Sequence, residues 1–157
     1  MRPPIYKAVN PLSKWQLAWL AGFIDGEGSI GIHATKCGGA GGKTTPRLVV
    51  SNTCISVIEL IYKMTGVGFI QYIDHSVKNP AYSKAAVWSV QRVFELKDIM
   101  TKILPYLLVK TDQAIMMLEY CDGKISGEPL HDDIYYSKKT KELNSTVRNI
   151  DMGVLKC

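Results

Sequence analysis

The sequence predicts an α+β fold in the order α-ββ-α-ββ-α-α, with one four-stranded antiparallel sheet covered by helices on one face and open on the other. Three observations carry this. Apolar residues recur at helical spacing through residues 12–24. Residues Ser29–Thr35 alternate strictly between apolar and polar or small. Two such strand pairs each follow a helix, so that a helix-hairpin unit occurs twice without obvious sequence repetition. The 157 residues fit a single domain, 1–157, with a core over about 12–121 and a C-terminal helical extension over 122–157.

Asn10-Pro11-Leu12-Ser13 opens the first helix. Ser13 can cap it and Gln16 stands three residues on, the spacing of a capping box. Trp15, Trp19 and Phe23 recur with Leu12, Leu20 and Ile24, and Gly26-Glu27-Gly28 ends the helix. In the strand that follows, Ile30, Ile32 and Ala34 share one face and Ser29, Gly31, His33 and Thr35 the other. Gly38–Gly42 joins it to a second strand, Lys43–Asn52, with apolar Leu48 and Val50. Ile55–Met64 reads as a short helix with Ile58, Ile61 and Tyr62 on one face, broken by Gly66-Val67-Gly68. Phe69–His75 and Ala85–Arg92 form the second hairpin through a turn at Asn79-Pro80. Phe94–Leu104 is helical and stopped by Pro105. Thr111–Cys121 is helical with Ile115, Leu118 and Met116 facing in, and Ser137–Ile150 is a polar helix of weak periodicity.

The net charge of +5 suits a polyanionic partner. The charge is uneven: residues 1–78 carry eight Lys/Arg against four Asp/Glu, and residues 79–157 eleven against ten. The N-terminal half is therefore the half expected to meet phosphates. Cys37, Cys54, Cys121 and Cys157 form no C-x-x-C pair and no zinc spacing with His33, His75 or His131. Free thiols are expected, in an intracellular soluble protein without a membrane span, a signal segment or a small-molecule substrate.

The stretch Leu20-Ala21-Gly22-Phe23-Ile24-Asp25-Gly26-Glu27-Gly28 carries the most information. Gly22 and Gly26 lie one helical turn apart on one face, which lets a second backbone approach closely. Asp25 and Glu27 follow, hard oxygen donors suited to Mg²⁺ or Ca²⁺. If two copies of the helix pack together, their carboxylates meet near the axis between them. The stretch closely resembles the signature of the LAGLIDADG homing endonucleases, matching at Leu20, Ala21, Gly22, Ile24, Asp25 and Gly28. Phe23 and Gly26 are substitutions common in that family, and Glu27 departs from it, standing where the final acid is usually Asp. Gly66–Ile70 also resembles a glycine-rich turn that leads into the family's third strand.

The resemblance implies a homodimer, because the family builds its site from two signatures and this chain holds one. It implies a dimer interface over Leu20, Ala21, Gly22, Asp25 and Gly26. Glu27, with the Gly26 carbonyl beside it, is the candidate metal ligand, and Asp25 is expected to orient the helix end. The cofactor implied is Mg²⁺, with Mn²⁺ able to substitute and Ca²⁺ binding without supporting cleavage. Lys110 follows Leu104-Pro105-Tyr106-Leu107-Leu108-Val109. This arrangement resembles the family's segment that brings a lysine near the scissile phosphate. Asn52 stands where the family often places Gln or Asn to order active-site water; a strand-end cap is an equal reading of it. No cofactor beyond the metal is implied.

Parity puts the base-reading side chains of the open sheet face at Ser29, Gly31, His33 and Thr35, then Lys43, Thr45, Arg47 and Ser51, then Gln71, Ser89 and Gln91. Arginine pairs bidentately with guanine and glutamine with adenine in the major groove. The function implied is a metal-dependent double-strand break in a long, near-palindromic duplex that promotes mobility of a host intron or intein, in an archaeal cytoplasm, chloroplast or mitochondrion. The same fold also serves RNA-binding intron maturases and non-catalytic DNA-binding proteins, which remain the alternatives.

Overall fold

The computed structural model describes residues 6–34, 44–74, 76, 80–81 and 83–154, with side chains through residue 145. Its elements are α1 (Lys14–Glu27), β1 (Gly28–Ala34), β2 (Thr44–Asn52), α2 (Ile55–Thr65), β3 (Phe69–Asp74), β4 (Lys84–Val90), α3 (Val93–Ile103), a 3-10 turn (Leu104–Tyr106), α4 (Thr111–Ser126) and α5 (Asp133–Val154). The fold is α+β with a single antiparallel sheet in the order β1-β2-β4-β3. The expected order of elements holds. Thr35, Lys43, Gly38–Gly42 and Asn79 lie outside the described residues.

Local chemistry sets the boundaries. The capping box at α1 forms: the Ser13 N–H donates to Gln16 Oε1 at 2.9 Å, and the Gln16 N–H to Ser13 Oγ at 3.4 Å. Gly66 closes α2 with a φ of 71°, a conformation open to glycine. β4 ends at Val90, earlier than the alternation suggests, because Arg92 becomes the residue that opens α3. α4 runs past Cys121 to Ser126, where Gly127 terminates it.

The register fixes the two faces. Gly28 lies opposite Val50, Val50 opposite Trp88, and Trp88 opposite Ile70. With Ile30, Ile32, Leu48 and Val90, this face is buried against Leu20, Ala21 and Ile24 of α1, Ile58 and Ile61 of α2, and Leu96 and Ile99 of α3. Trp88, fully buried, donates its indole N–H to the Val67 carbonyl at 2.9 Å. Glu95, also buried, accepts the Gly68 N–H at 3.2 Å, which pins the turn leading into β3.

Two inward faces differ from expectation. Tyr62 is exposed while Ile58 and Ile61 are buried. On α4, Ile115 is exposed, and the inward face is Gln113, Ala114, Met117, Tyr120 and Cys121, with Met116 also buried. Apolar residues occupy both sides of α4, so periodicity alone does not choose between them. Burial pushes the Cys121 thiol up to about 12, and Cys54 is free and exposed.

The helix expected at Ser137–Ile150 is longer, and it covers the sheet edge. Thr140 Oγ1 accepts the Ile32 N–H of edge strand β1 at 2.9 Å. Tyr136 is fully buried, donates to Glu119 at 2.8 Å and meets the Tyr120 ring edge-on. Thr44 donates to Asp133 at 2.7 Å, and Lys124 pairs with Asp133 at 2.8 Å. An edge strand with unpaired backbone groups invites pairing with other chains, and α5 covers part of the β1 edge.

Candidate functional site

The end of α1 is joined to the loop before α4. Asp25 accepts the Leu108 N–H at 2.7 Å and the Lys110 N–H at 2.9 Å through its two carboxylate oxygens. The Lys110 ammonium donates to the Asp25 main-chain carbonyl. Lys110 is buried and stands as the residue that opens α4, a poor place for a cation. The carbonyl end of α1 offsets that disadvantage, since the last turn of a helix carries partial negative charge. Residues 85 apart in sequence are thus one unit, joined through both the carboxylate and the carbonyl of Asp25.

Glu27 is exposed, two residues beyond this locked acid. The Gly28 N–H closes the helix on the Ile24 carbonyl. The Gly26 carbonyl, in the last turn, has no intrahelical donor. A carboxylate and a carbonyl on an open, electronegative helix end suit a hard divalent cation in donor type. Among the described residues no group of three or more His, Cys, Asp or Glu side chains gathers in one protomer. One carboxylate and one carbonyl fit a divalent cation in donor type and are too few to complete its coordination.

The chain passes from Glu27 into β1 opposite Val50, next to Ser51 and Asn52 at the end of β2. Asn52 Oδ1 accepts the Cys54 N–H at 2.8 Å, so the turn-capping role is the one its carbonyl oxygen performs. Ser51 is exposed.

The outward face of α1 is bare. Trp15 (71% exposed), Ala18, Trp19, Gly22 and Gly26 line it, and a Cβ placed on Gly22 or Gly26 would meet nothing within 4 Å. Apolar surface continues beside it onto Leu60 of α2, and Leu108 (88% exposed) and Val109 lie in the loop tied to the helix end. The interface expected at Leu20 and Ala21 is corrected here: both are fully buried in the core of the chain and have no surface to share. Sequence reasoning missed Trp15, Trp19, Leu60 and Leu108. The signal for the tryptophans was present, since a helix apolar on more than one face needs a second burial partner.

On the other sheet face, Ser29, Arg47, Ser51 and Gln71 are exposed, and His33, Thr45 and Gln91 half-buried. Burial, and then the Arg47 charge beside it, lower the His33 pKa. No Asp or Glu stands on this face among the described residues. Two expected readers do not reach it. Gly31 is buried under α5, where a Cβ would come within 2.5 Å of Thr140 Cγ2. Ser89 is 6% exposed, flanked in its cross-strand row by Val49 and Phe69. Parity gives a residue's side of the sheet but not what covers it.

No family model and no curated protein matches the sequence. Solved structures do. The homing endonuclease I-CvuI in complex with the I-CreI target is similar over 83% of this chain and 82% of its own, at 22% identity and a TM-score of 0.70. The archaeal intron-encoded homing endonuclease I-Vdi141I, complexed with DNA, is similar over 86% of this chain and 83% of its own, at 23% identity and a TM-score of 0.61. The homing endonuclease I-TnaI covers 83% of this chain and 97% of its own, at 15% identity and a TM-score of 0.60. The chain has the LAGLIDADG homing endonuclease fold. On that fold the signature stretch divides by face. Leu20, Ala21 and Ile24 of α1 build the core, while Gly22, Gly26 and Glu27 are left on the surface.

Proposed function

We propose that this chain is a homodimeric, Mg²⁺-dependent endonuclease that makes a double-strand break in a long, near-palindromic DNA site and promotes movement of a host intron or intein. The observation that carries the reading is the bare outward face of α1, which ends in the exposed Glu27. Two copies meeting along Gly22 and Gly26 bring two Glu27 carboxylates together at a twofold axis. Trp15, Trp19, Leu60 and Leu108 supply the apolar area that such contact buries. I-CvuI has been solved on DNA with 2 mM Mg and with 2 mM Ca, which favours a divalent ion for proteins of this fold.

Glu27 and the Gly26 carbonyl would hold the metal. Bound Mg²⁺ supplies Lewis acidity and a water of lowered pKa. Lys110, held against the same helix end, adds fixed positive charge where negative charge develops on the phosphate. Asn52 retains its amide N–H groups for a water or a phosphate oxygen. The sheet face, with no Asp or Glu among its described residues and Arg47 exposed on it, would lie along about 10 base pairs per protomer.

The test uses a randomised duplex library with Mg²⁺. The protein should sediment at twice its monomer mass and cut a selected site in both strands, while Glu27→Gln binds and does not cut. Retained cutting by Glu27→Gln overturns the assignment. Tight binding of spliced intron RNA with no cutting of any duplex makes the maturase reading the correct one.

A further inference from the structure

The open face of the sheet is chemically divided along its strand order. The register sets out its rows: Ser29, Val49, Ser89 and Phe69 lie side by side, then Ser51, Val87 and Gln71, then Ala85 and Ile73. On β1 and β2 this face carries Ser29, His33, Thr45, Arg47 and Ser51, with Val49 its one apolar side chain of size. On β3 and β4 it carries Phe69 (47% exposed), Ile73, Ala85 and Val87, all reachable by solvent. Ser89 is buried, so Gln71 is the exposed polar side chain of that half among the described strand residues.

We infer that the two halves read duplex DNA by different chemistry: β1 and β2 by hydrogen bonds to base edges, and β3 and β4 by apolar contact with thymine 5-methyl groups around an adenine read by Gln71. The inference rests on the endonuclease reading above and names the base composition that site would take. In the major groove the thymine methyl is the one apolar group a base pair presents. Phe69, Ile73 or Val87 placed against a G·C edge would strip water from its donors and acceptors and return no hydrogen bond. The same side chains placed against a thymine methyl bury apolar surface. A glutamine amide fits adenine N6 and N7, and adenine stands opposite thymine, so Gln71 and its apolar neighbours ask for the same base pairs. Charge selects DNA over a protein as the occupant. The apolar rows are continuous with the Arg47 side of a face that has no Asp or Glu among its described residues, on a chain of net charge +5.

The test begins with duplexes selected from the randomised library. Selection repeated with Gln71→Ala and with Arg47→Ala locates the two segments of each half-site by the positions that lose preference. Deoxyuridine is then substituted for thymidine, which removes the methyl and leaves every hydrogen-bonding group in place. Affinity is expected to fall about fourfold per methyl removed under β3 and β4 and to stay level under β1 and β2 away from Val49. Val87→Ser should flatten the deoxyuridine effect at the thymine nearest Val87 while Arg47-dependent selection persists, which shows that the variant is folded. G·C pairs selected in the Gln71 segment, or no loss with deoxyuridine there, overturn the inference while cutting of the duplex leaves the endonuclease reading intact. Tighter binding to single strands than to duplex, with Phe69 as a stacking platform, overturns it as well. Retention of no duplex at all defeats the endonuclease reading first, and this inference with it.

Discussion

The first and last helices treat their exposed surfaces in opposite ways. α5 packs its inner side on its own chain: Thr140 accepts the Ile32 N–H of β1, and Tyr136 bonds Glu119 of α4. α1 buries Leu20, Ala21 and Ile24, packs Leu17 and Phe23 against the same core, and leaves two tryptophans and two glycines on its outer side. One helix closes an edge that would otherwise recruit another chain, and the other keeps open a face that can do so. The fold thus hinders pairing at the β1 edge and leaves an apolar helix face open.

The largest effect expected from the open face is at its end. Glu27→Gln keeps size and hydrogen bonding but removes the charge that would hold the metal. Cleavage should fall by about a thousandfold or more, as the loss of a metal ligand and its transition-state charge would produce. Duplex affinity in Ca²⁺-free buffer and the sedimentation coefficient should be unchanged. Asp25, two residues earlier, should respond differently. Asp25→Ala leaves the Leu108 and Lys110 N–H groups without their acceptor, at a cost of about 1–3 kcal/mol for each that stays buried. The urea midpoint should drop for Asp25→Ala and hold for Glu27→Gln. Equal loss of stability in both would mean that the two acids are not divided between structure and chemistry.

Gly22→Ala separates the face from the helix that carries it. A built Cβ meets nothing in the protomer, and alanine in a helix interior is better than glycine by about 0.5–1 kcal/mol. The isolated protomer should therefore gain stability, while the dimer dissociation constant, measured by sedimentation across a dilution series, rises about tenfold or more as the backbones are held apart. A dimer unaffected by Gly22→Ala and Gly26→Ala would place association elsewhere. At the closed edge, Thr140→Val removes the acceptor for the Ile32 N–H. A destabilisation of about 1–2 kcal/mol is expected, read from the thermal midpoint, with α5 protection from hydrogen exchange reduced first.

What the sequence made legible follows local physics. Alternation in Ser29–Ala34, the Ser13–Gln16 box and the Gly66 stop are decided within a few residues, and each is found where the pattern placed it. The signature located Gly22, Gly26 and Glu27 on the surface at the end of α1. What stayed hidden depends on contacts far apart in sequence. Gly31 lies under Thr140, more than a hundred residues later, and no periodicity in β1 announces it. Leu20 and Ala21 belong to the signature, yet only the packed core shows that they point away from the bare face. Ile115 sits on a helix apolar on both sides, so its exposure is settled by which side α3 and β1 occupy.

The smallest expected effect concerns His33, on the same open face as Arg47. Burial and the Arg47 charge hold its pKa below the usual 6.5. The folded chain therefore binds its proton less readily than the unfolded chain does. The resulting stability is fully present above pH 6.5 and declines as pH falls below it toward the lowered folded value. His33→Gln should remove that part of the slope in urea-midpoint measurements taken between pH 7.5 and about 5.5. In DNA binding the sign reverses, because a phosphate or base acceptor beside the ring favours the protonated form. Duplex affinity should therefore rise modestly as pH is lowered through the same interval, and the rise should shrink with added salt. A pH-independent affinity with an intact stability slope would place His33 outside the DNA contact, and with it the Thr45 end of β1 and β2.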